Sequence, residues 1–278
     1  MSSSERLWRA AALTAAALVV VALPSIAQSG APSSPSGSPA PSQQPLERLT
    51  WQIVSERPHD TGAWTEGLLL DASGALYEST GIVGESTVRQ VDPLTGAVLR
   101  SAPVPGDEYG EGLARVDDRL IQLTWKDGVA LVWDQATLTQ TGSFSYDGEG
   151  WGLCNDGTRL VMSDGSSRLT FRDPVTFEVL GSVDVTVQGE PLVRLNELEC
   201  VDGSVWANVW ETPWIVRIDA VTGQVTGALD TTGMIDPDPS VADPGAVLNG
   251  IAYDPVQDTF LLTGKRWPSM FEVRIGGA

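Results

Sequence analysis

The chain has 278 residues and carries 17 basic against 36 acidic side chains, a formal net charge of −19. That balance excludes nucleic acid and anionic membrane surfaces as partners, because both are gripped through clustered Lys and Arg. A single histidine, His59, excludes a multi-histidine metal site and leaves one residue through which any Ser-His-Asp triad would have to run.

Residues 1–27 read as an export leader. Arg6 and Arg9 supply the positive start, Ala10 to Leu23 is apolar, and Ser25-Ile26-Ala27 puts small residues at the cleavage positions. The apolar run is too short and alanine-rich for a membrane span, and no cysteine follows it to carry a lipid. A secreted or periplasmic protein with no membrane span in its mature form is expected. Residues 28–46, rich in Ser, Pro, Gly and Gln, cannot bury a core and are expected to be a disordered linker. Residues 47–278 have the composition and length of one all-β domain.

Within that domain Leu49 to Ser55 reads as a first strand. His59 follows in Arg57-Pro58-His59-Asp60, where a structural loop residue fits better than a base. Then a short phrase recurs five times: Thr65-Glu66-Gly67-Leu68, Gly110-Glu111-Gly112-Leu113, Gly150-Trp151-Gly152-Leu153, Asn196-Glu197-Leu198-Glu199 and Leu248-Asn249-Gly250-Ile251. Its spacing of about 40 to 52 residues suits one four-stranded propeller blade per repeat. The second repeat shows the pattern: strands at Gly112–Val116, Leu120–Trp125, Val129–Trp133 and Thr139–Phe144, separated by turn residues. The turns Asp92-Pro93-Leu94-Thr95-Gly96, Asp173-Pro174-Val175-Thr176-Phe177 and Asp219-Ala220-Val221-Thr222-Gly223 make their aspartates structural, as acceptors for backbone N–H groups. The last repeat has only three strands, Ile251–Tyr253, Thr259–Gly264 and Met270–Ile275. Leu49–Ser55 can supply the fourth, so the expected fold is a five-bladed β-propeller closed by an N-terminal strand in the last blade.

A ring of repeats gathers equivalent residues at one mouth. Glu66, Glu111, Glu149, Glu197 and Glu199 would bring carboxylates there, with Asn196 and Asn249 as neutral partners. Close carboxylates raise one another's pKa, which suits proton transfer. The chain holds ten tryptophans against five phenylalanines. Trp125, Trp151, Trp210 and Trp267 all fall near strand ends, where either a shared aromatic pocket or packing between blades would use them. Lys265 would face the acidic mouth or lie at a solvated edge. Cys154 and Cys200 occupy the same repeat position, and two readings fit: a disulfide between neighbouring blades or two buried thiols.

Ten phrases in order resemble the plant and bacterial glutaminyl-peptide cyclotransferases. They are Trp64-Thr65-Glu66-Gly67-Leu68, Leu76-Tyr77-Glu78-Ser79-Thr80-Gly81, Tyr109-Gly110-Glu111-Gly112-Leu113, Gln122-Leu123-Thr124-Trp125 and Gly148-Glu149-Gly150-Trp151-Gly152-Leu153, then Met162-Ser163-Asp164-Gly165-Ser166, Leu195-Asn196-Glu197-Leu198-Glu199, Ala207-Asn208-Val209-Trp210, Leu248 to Asp254 and Thr263-Gly264-Lys265. The resemblance implies a five-bladed propeller that turns an N-terminal glutaminyl residue of a peptide or protein into pyroglutamyl with loss of ammonia. It implies Glu111 as general acid/base, Asn196 and Lys265 as holders of the amide oxygen, and a pocket of Trp64, Glu66, Tyr109, Trp125, Trp151 and Trp210. Two positions depart from the plant pattern: Glu66 stands where glutamine is common, and Trp64 replaces a phenylalanine. No catalytic metal or other cofactor is expected, whereas a structural calcium on the axis would suit the hard oxygen ligands there. A monomer is expected. Two other functions remain open at this stage, a calcium-dependent propeller lactonase and a non-catalytic ligand-binding propeller.

Overall fold

A computed structural model describes residues 45–235 and 245–277. The expected leader, and the expected linker apart from Pro45 and Leu46, lie outside the described residues. Those residues are all β, in strands numbered β1 to β22, with no helix among them; accordingly none contains a helix long and apolar enough to cross a membrane.

Strand β1 (Glu47–Pro58) precedes a series of up-and-down groups. The first is β2 (Thr65–Leu70), β3 (Leu76–Thr80), β4 (Thr87–Val91) and β5 (Val98–Pro103), and the second β6 (Gly110–Val116), β7 (Arg119–Thr124), β8 (Val129–Asp134) and β9 (Gln140–Ser145). The third is β10 (Leu153–Asn155), β11 (Leu160–Ser163), β12 (Arg168–Arg172) and β13 (Val179–Asp184). Each forms its own four-stranded sheet in sequence order. A small ribbon of β14 (Thr186–Val187) and β15 (Glu190–Pro191) follows, which no sequence signal anticipated.

The remaining strands are β16 (Leu195–Val201), β17 (Ser204–Val209), β18 (Trp214–Asp219), β19 (Val225–Asp230), β20 (Leu248–Asp254), β21 (Thr259–Gly264) and β22 (Ser269–Gly277). Together with β1 they form one eight-stranded sheet, in the order β16-β17-β18-β19-β1-β22-β21-β20. Strand β1 runs antiparallel to β22, from Leu49 opposite Gly277 to Pro58 opposite Ser269. Its first residues, Glu47 to Leu49, also pair in parallel with Gly227 to Leu229 of β19, which joins two groups into one sheet.

Burial shows which strands lie inside. β2, β6 and β20 are buried over most of their length, whereas β5, β9 and β13 alternate or face solvent. The inner strands touch in a cycle: β2 lies against β6, β6 against β10, β10 against β16, β16 against β20, and β20 against β2. Glycine permits this closeness. A Cβ on Gly67 would stand 2.7 Å from the Leu113 nitrogen, and one on Gly112 would stand 2.5 Å from the Leu153 nitrogen.

The outer hairpins share one device. Asp92, Asp173 and Asp219 each accept N–H bonds from the residues two and three further on, at 2.7–3.0 Å. Asp254 does the same for Val256 and Gln257, and Asp134 accepts the Thr137 N–H. The residue closing each turn has positive φ, including the non-glycine Leu138, Phe177 and Asp258. These aspartates are structural, as their turn chemistry implied. Cys154 of β10 and Cys200 of β16 form a disulfide, with Cα atoms 5.5 Å apart, so the reading as free thiols is set aside.

Candidate active site

The recurring phrase marks a repeated break in hydrogen bonding. The pairing of the first two strands is interrupted between Thr65 and Gly67, between Gly110 and Leu113, between Leu195 and Leu198, and between Leu248 and Ile251. Such an irregularity re-aims a side chain that would otherwise alternate with its neighbours. In that register Glu66, Glu111, Asn196 and Asn249 are equivalent, with Trp151 at the same place ahead of β10. The fourth phrase is therefore Leu195-Asn196-Glu197-Leu198, one residue earlier than its expected alignment, and Glu197 occupies the position that is glycine in the other copies.

This shift corrects two of the expected mouth carboxylates. Glu197 is fully buried and accepts the Leu68 N–H at 3.3 Å and the Ile251 N–H at 2.7 Å, tying three inner strands together. Glu199 faces the opposite end of the inner strands. There it lines a cavity of about 380 Å³ with Asp71, Asp117, Asn155 and the Cys154–Cys200 bridge. Its pKa is pushed up to about 8 by burial, against hydrogen bonds from the Tyr253 and Cys200 N–H groups.

At the mouth end, Glu66 anchors a dense set of contacts. Its Oε1 accepts the Tyr109 hydroxyl at 2.8 Å and Lys265 Nζ at 2.7 Å, and its Oε2 accepts Asn249 Nδ2 at 3.1 Å. Burial raises the Glu66 pKa, opposed by the Lys265 charge and by its hydrogen bonds to Lys265 and Tyr109. Glu111 is buried as well, but its Oε2 has no hydrogen-bond partner among the described residues. Burial first, and then the Glu66 charge, hold its pKa far above the ordinary carboxyl range, with Lys265 opposing. With Lys265 committed to Glu66, Glu111 is the carboxyl that retains its proton.

Other polar atoms are buried without partners among the described residues: Asn196 Oδ1, Asn249 Oδ1 and Asn208 Nδ2. Asn208 was quoted in a phrase but not named for the site. It is fully buried, and its Oδ1 accepts the Gly250 N–H at 3.1 Å, which identifies the orphan atom as the donor nitrogen. An asparagine in the apolar run Val205 to Val209 was the available signal.

The aromatic residues fall into two linked groups. Tyr109 and Trp125 lie 5.7 Å apart, and Trp151 meets Trp210 edge-on at 5.4 Å. Glu149 joins them, because its Oε2 accepts both the Trp125 indole N–H at 2.8 Å and the Trp151 indole N–H at 3.0 Å. Lys265 Nζ lies 5.3 Å from the centre of the Trp64 ring. Glycines make room for the rings: a Cβ on Gly81 would collide with Tyr109, and one on Gly165 would stand 2.6 Å from Trp151. Trp267 does not belong to the pocket. It is buried in a core cluster beside Phe271, and its indole N–H donates to the Ala246 carbonyl at 3.2 Å.

Among the described residues no three or more His, Cys, Asp or Glu side chains come together as a metal-ligand set. The mouth instead combines a carboxyl with one unpartnered oxygen, an ion pair, orphaned amides and aromatic walls. That set can hold a small polar side chain and move a proton.

Comparison with known proteins gives concordant matches. A family model described as glutamine cyclotransferase matches residues 19–275. A glutaminyl-peptide cyclotransferase of Arabidopsis thaliana is 36% identical over 229 residues, which span 81% of this chain and 71% of that protein. The crystal structure of Myxococcus xanthus glutaminyl cyclase is 36% identical, with a TM-score of 0.76, and the match covers 84% of this chain and 100% of that one.

Proposed function

The chain belongs to the glutamine cyclotransferase family, and from that premise we propose that it converts the N-terminal glutaminyl residue of a peptide or protein into pyroglutamyl, releasing ammonia. The observation that carries the reading at this site is the contrast between two neighbouring carboxyls, Glu66 committed to Lys265 and Glu111 with a free oxygen.

In the proposed reaction the α-amine attacks the γ-amide carbon of its own residue, the C–N bond to the amide nitrogen breaks, and ammonia leaves. Holding a bent conformer supplies much of the rate, since both reacting groups sit on one residue. Glu111 gives its proton to the leaving nitrogen and takes one from the attacking amine, so its protonation is restored. A carboxyl raised above its ordinary pKa suits both halves of that exchange. Lys265 has two N–H donors beyond the one given to Glu66, and these can meet the developing oxyanion. Asn196, expected to hold the amide oxygen, also offers an unpartnered Oδ1 that can accept a substrate N–H. Trp64, Tyr109, Trp125, Trp151 and Trp210 enclose the glutamine side chain and exclude water, which would otherwise give glutamate.

The five-bladed propeller belongs to the same proposal. Its support is the closed cycle of five inner strands together with the place of β1 beside β22. Export through residues 1–27, a monomeric state and catalysis without a cofactor complete it. The two oxygens of Glu197 are taken up by backbone N–H groups, which argues against calcium at that carboxylate.

The test is incubation of the purified protein with a Gln-initiated peptide, following ammonia and the peptide mass. Ammonia release that persists in a chelator is expected. Glu111→Gln should lower kcat by about 100-fold or more while the thermal midpoint stays within a few degrees. A folded wild-type protein that releases no ammonia would refute the proposal.

A further inference from the structure

His59 lies outside the mouth, yet its contacts reach both halves of the Glu66–Lys265 pair. The ring is buried, with Nδ1 2.7 Å from the Trp267 carbonyl oxygen and Nε2 3.0 Å from Glu78 Oε1. A carbonyl and an ionised carboxylate are both acceptors, so satisfying them requires an N–H on each ring nitrogen. The surrounding charges agree. Glu78 is fully buried and accepts Arg89 Nε and Nη2 at 2.9 and 2.7 Å, while Arg89 Nη1 donates to Asp60 Oδ2 at 2.8 Å. Two acids are then balanced by Arg89 and a charged His59. A neutral ring would leave one acceptor unpaired and leave Arg89 alone to balance the fully buried Glu78 and the partly exposed Asp60.

This cluster continues into the site on two sides. On one side, Glu78 Oε1 also accepts the Thr65 hydroxyl at 2.7 Å, and Thr65 precedes Glu66. The Thr65 carbonyl accepts Asn249 Nδ2 at 2.9 Å, and the same Nδ2 donates to Glu66. On the other side, His59 holds the turn after β21. Its backbone N–H donates to the Pro268 carbonyl at 2.8 Å and its ring to Trp267, two residues from Lys265.

We propose that His59, carrying a proton on each ring nitrogen, is a positioning residue that holds the Lys265 turn in register with the Glu66 strand. The proposal rests on the cyclase reading of the site. The groups facing the ring are Glu78 from β3, Arg89 from β4, and the Trp267 carbonyl. Burial alone would lower its pKa, but Glu78 and the Trp267 carbonyl raise it overall, with Arg89 opposing. The contribution of His59 is therefore complete at acid pH and is lost as pH rises through its folded pKa, above 6.5.

The chain's composition makes this testable. His59 is the only histidine, so one imidazole signal titrates in NMR of the untagged protein. Two ring N–H protons at pH 6.5 are expected, and a neutral ring there overturns the proposal. Lys126 and Lys265 are the only lysines, and Lys126 is exposed while Lys265 is buried. In folded His59→Asn, acetylation of Lys265 relative to Lys126 should rise several-fold, and kcat should fall about tenfold with KM changed less than about twofold. Unchanged Lys265 reactivity and kcat in a folded variant would refute positioning. The NMR and acetylation arms remain decisive even if the wild type shows no cyclase turnover.

Discussion

Lys265 Nζ donates to Glu66 Oε1 at 2.7 Å, and both side chains are buried, 7% and 1% exposed. A buried pair of this kind is an unreliable source of net stability, but removing one member strands the other. Its value lies in dividing the labour of the two carboxyls. The lysine charge is directed to Glu66, and the Glu66 charge in turn discourages ionisation of Glu111. Glu66→Gln keeps an acceptor for Lys265 but removes the negative charge. The pKa of Glu111 should then fall, moving the corresponding limb of the pH–kcat profile to lower pH. Stability should drop by up to about 3 kcal/mol in urea denaturation. An unmoved pH profile would mean that Glu111 does not control that limb.

Glu149 offers a separate test of the pocket walls. One of its oxygens holds two indoles, and its other lies 3.4 Å from Lys126. Although burial alone would raise its pKa, the Trp151 and Trp125 N–H groups and Lys126 lower it, so the clamp is ionised at neutral pH. Glu149→Ala frees both rings and should raise KM by about tenfold, a loss of roughly one hydrogen bond's net worth. Glu149→Gln retains a carbonyl acceptor and should fall between. Indole fluorescence should shift in the alanine variant, and equal KM values in all three proteins would dismiss the clamp.

The repeats were legible in the sequence because their phrase records a backbone irregularity at four of the five inner strands. Thr259–Gly264 agrees with β21 residue for residue, and the strands expected in the second repeat agree with β6 to β9 within about two residues. The Glu197 register was not legible, since Asn196-Glu197-Leu198-Glu199 offers a polar residue at every second place and lacks the glycine that marks other copies. Only the interrupted pairing between Leu195 and Leu198 decides it. Trp267 stayed open between pocket and packing for a related reason. Its neighbours Gly264 and Lys265 resemble those of a pocket wall, but its ring folds back over Gly264, where a Cβ would collide with it. The Glu78 network escaped notice because its members come from separate strands and His59 precedes the first repeat.

The disulfide joins adjacent inner strands at a sequence separation of 46. On the chain-entropy account a loop of that size contributes about 4 kcal/mol by restricting the unfolded chain. Unfolded, unreduced protein should therefore show no reactive thiol, and thiol reagents should find two after reduction. The reduced protein should unfold at lower urea concentration. An equal midpoint for both forms would show that the native strands gain nothing from the bridge.

Two glutamates, the buried Glu78 and the half-buried Glu199, should oppose each other in the dependence of stability on pH. The pKa of Glu78 is lowered to about 2, because bonds to His59, the charges of His59 and Arg89 and the Thr65 hydroxyl outweigh burial. Its contribution is present above the ordinary glutamate pKa of about 4.5 and is lost as pH falls toward 2, amounting to about 3 kcal/mol. Glu199 acts in the other direction. With a folded pKa of about 8, it favours the protonated form, so stability declines as pH rises from about 4.5 through 8. Glu199→Gln cannot ionise and should flatten the alkaline side of a plot of thermal midpoint against pH, leaving the acid side intact. Glu78→Gln should lower the midpoint near neutrality and weaken the acid-side dependence. If both variants track the wild type across the whole range, these carboxyls titrate alike in the folded and unfolded chain, and neither network contributes to stability through its charge.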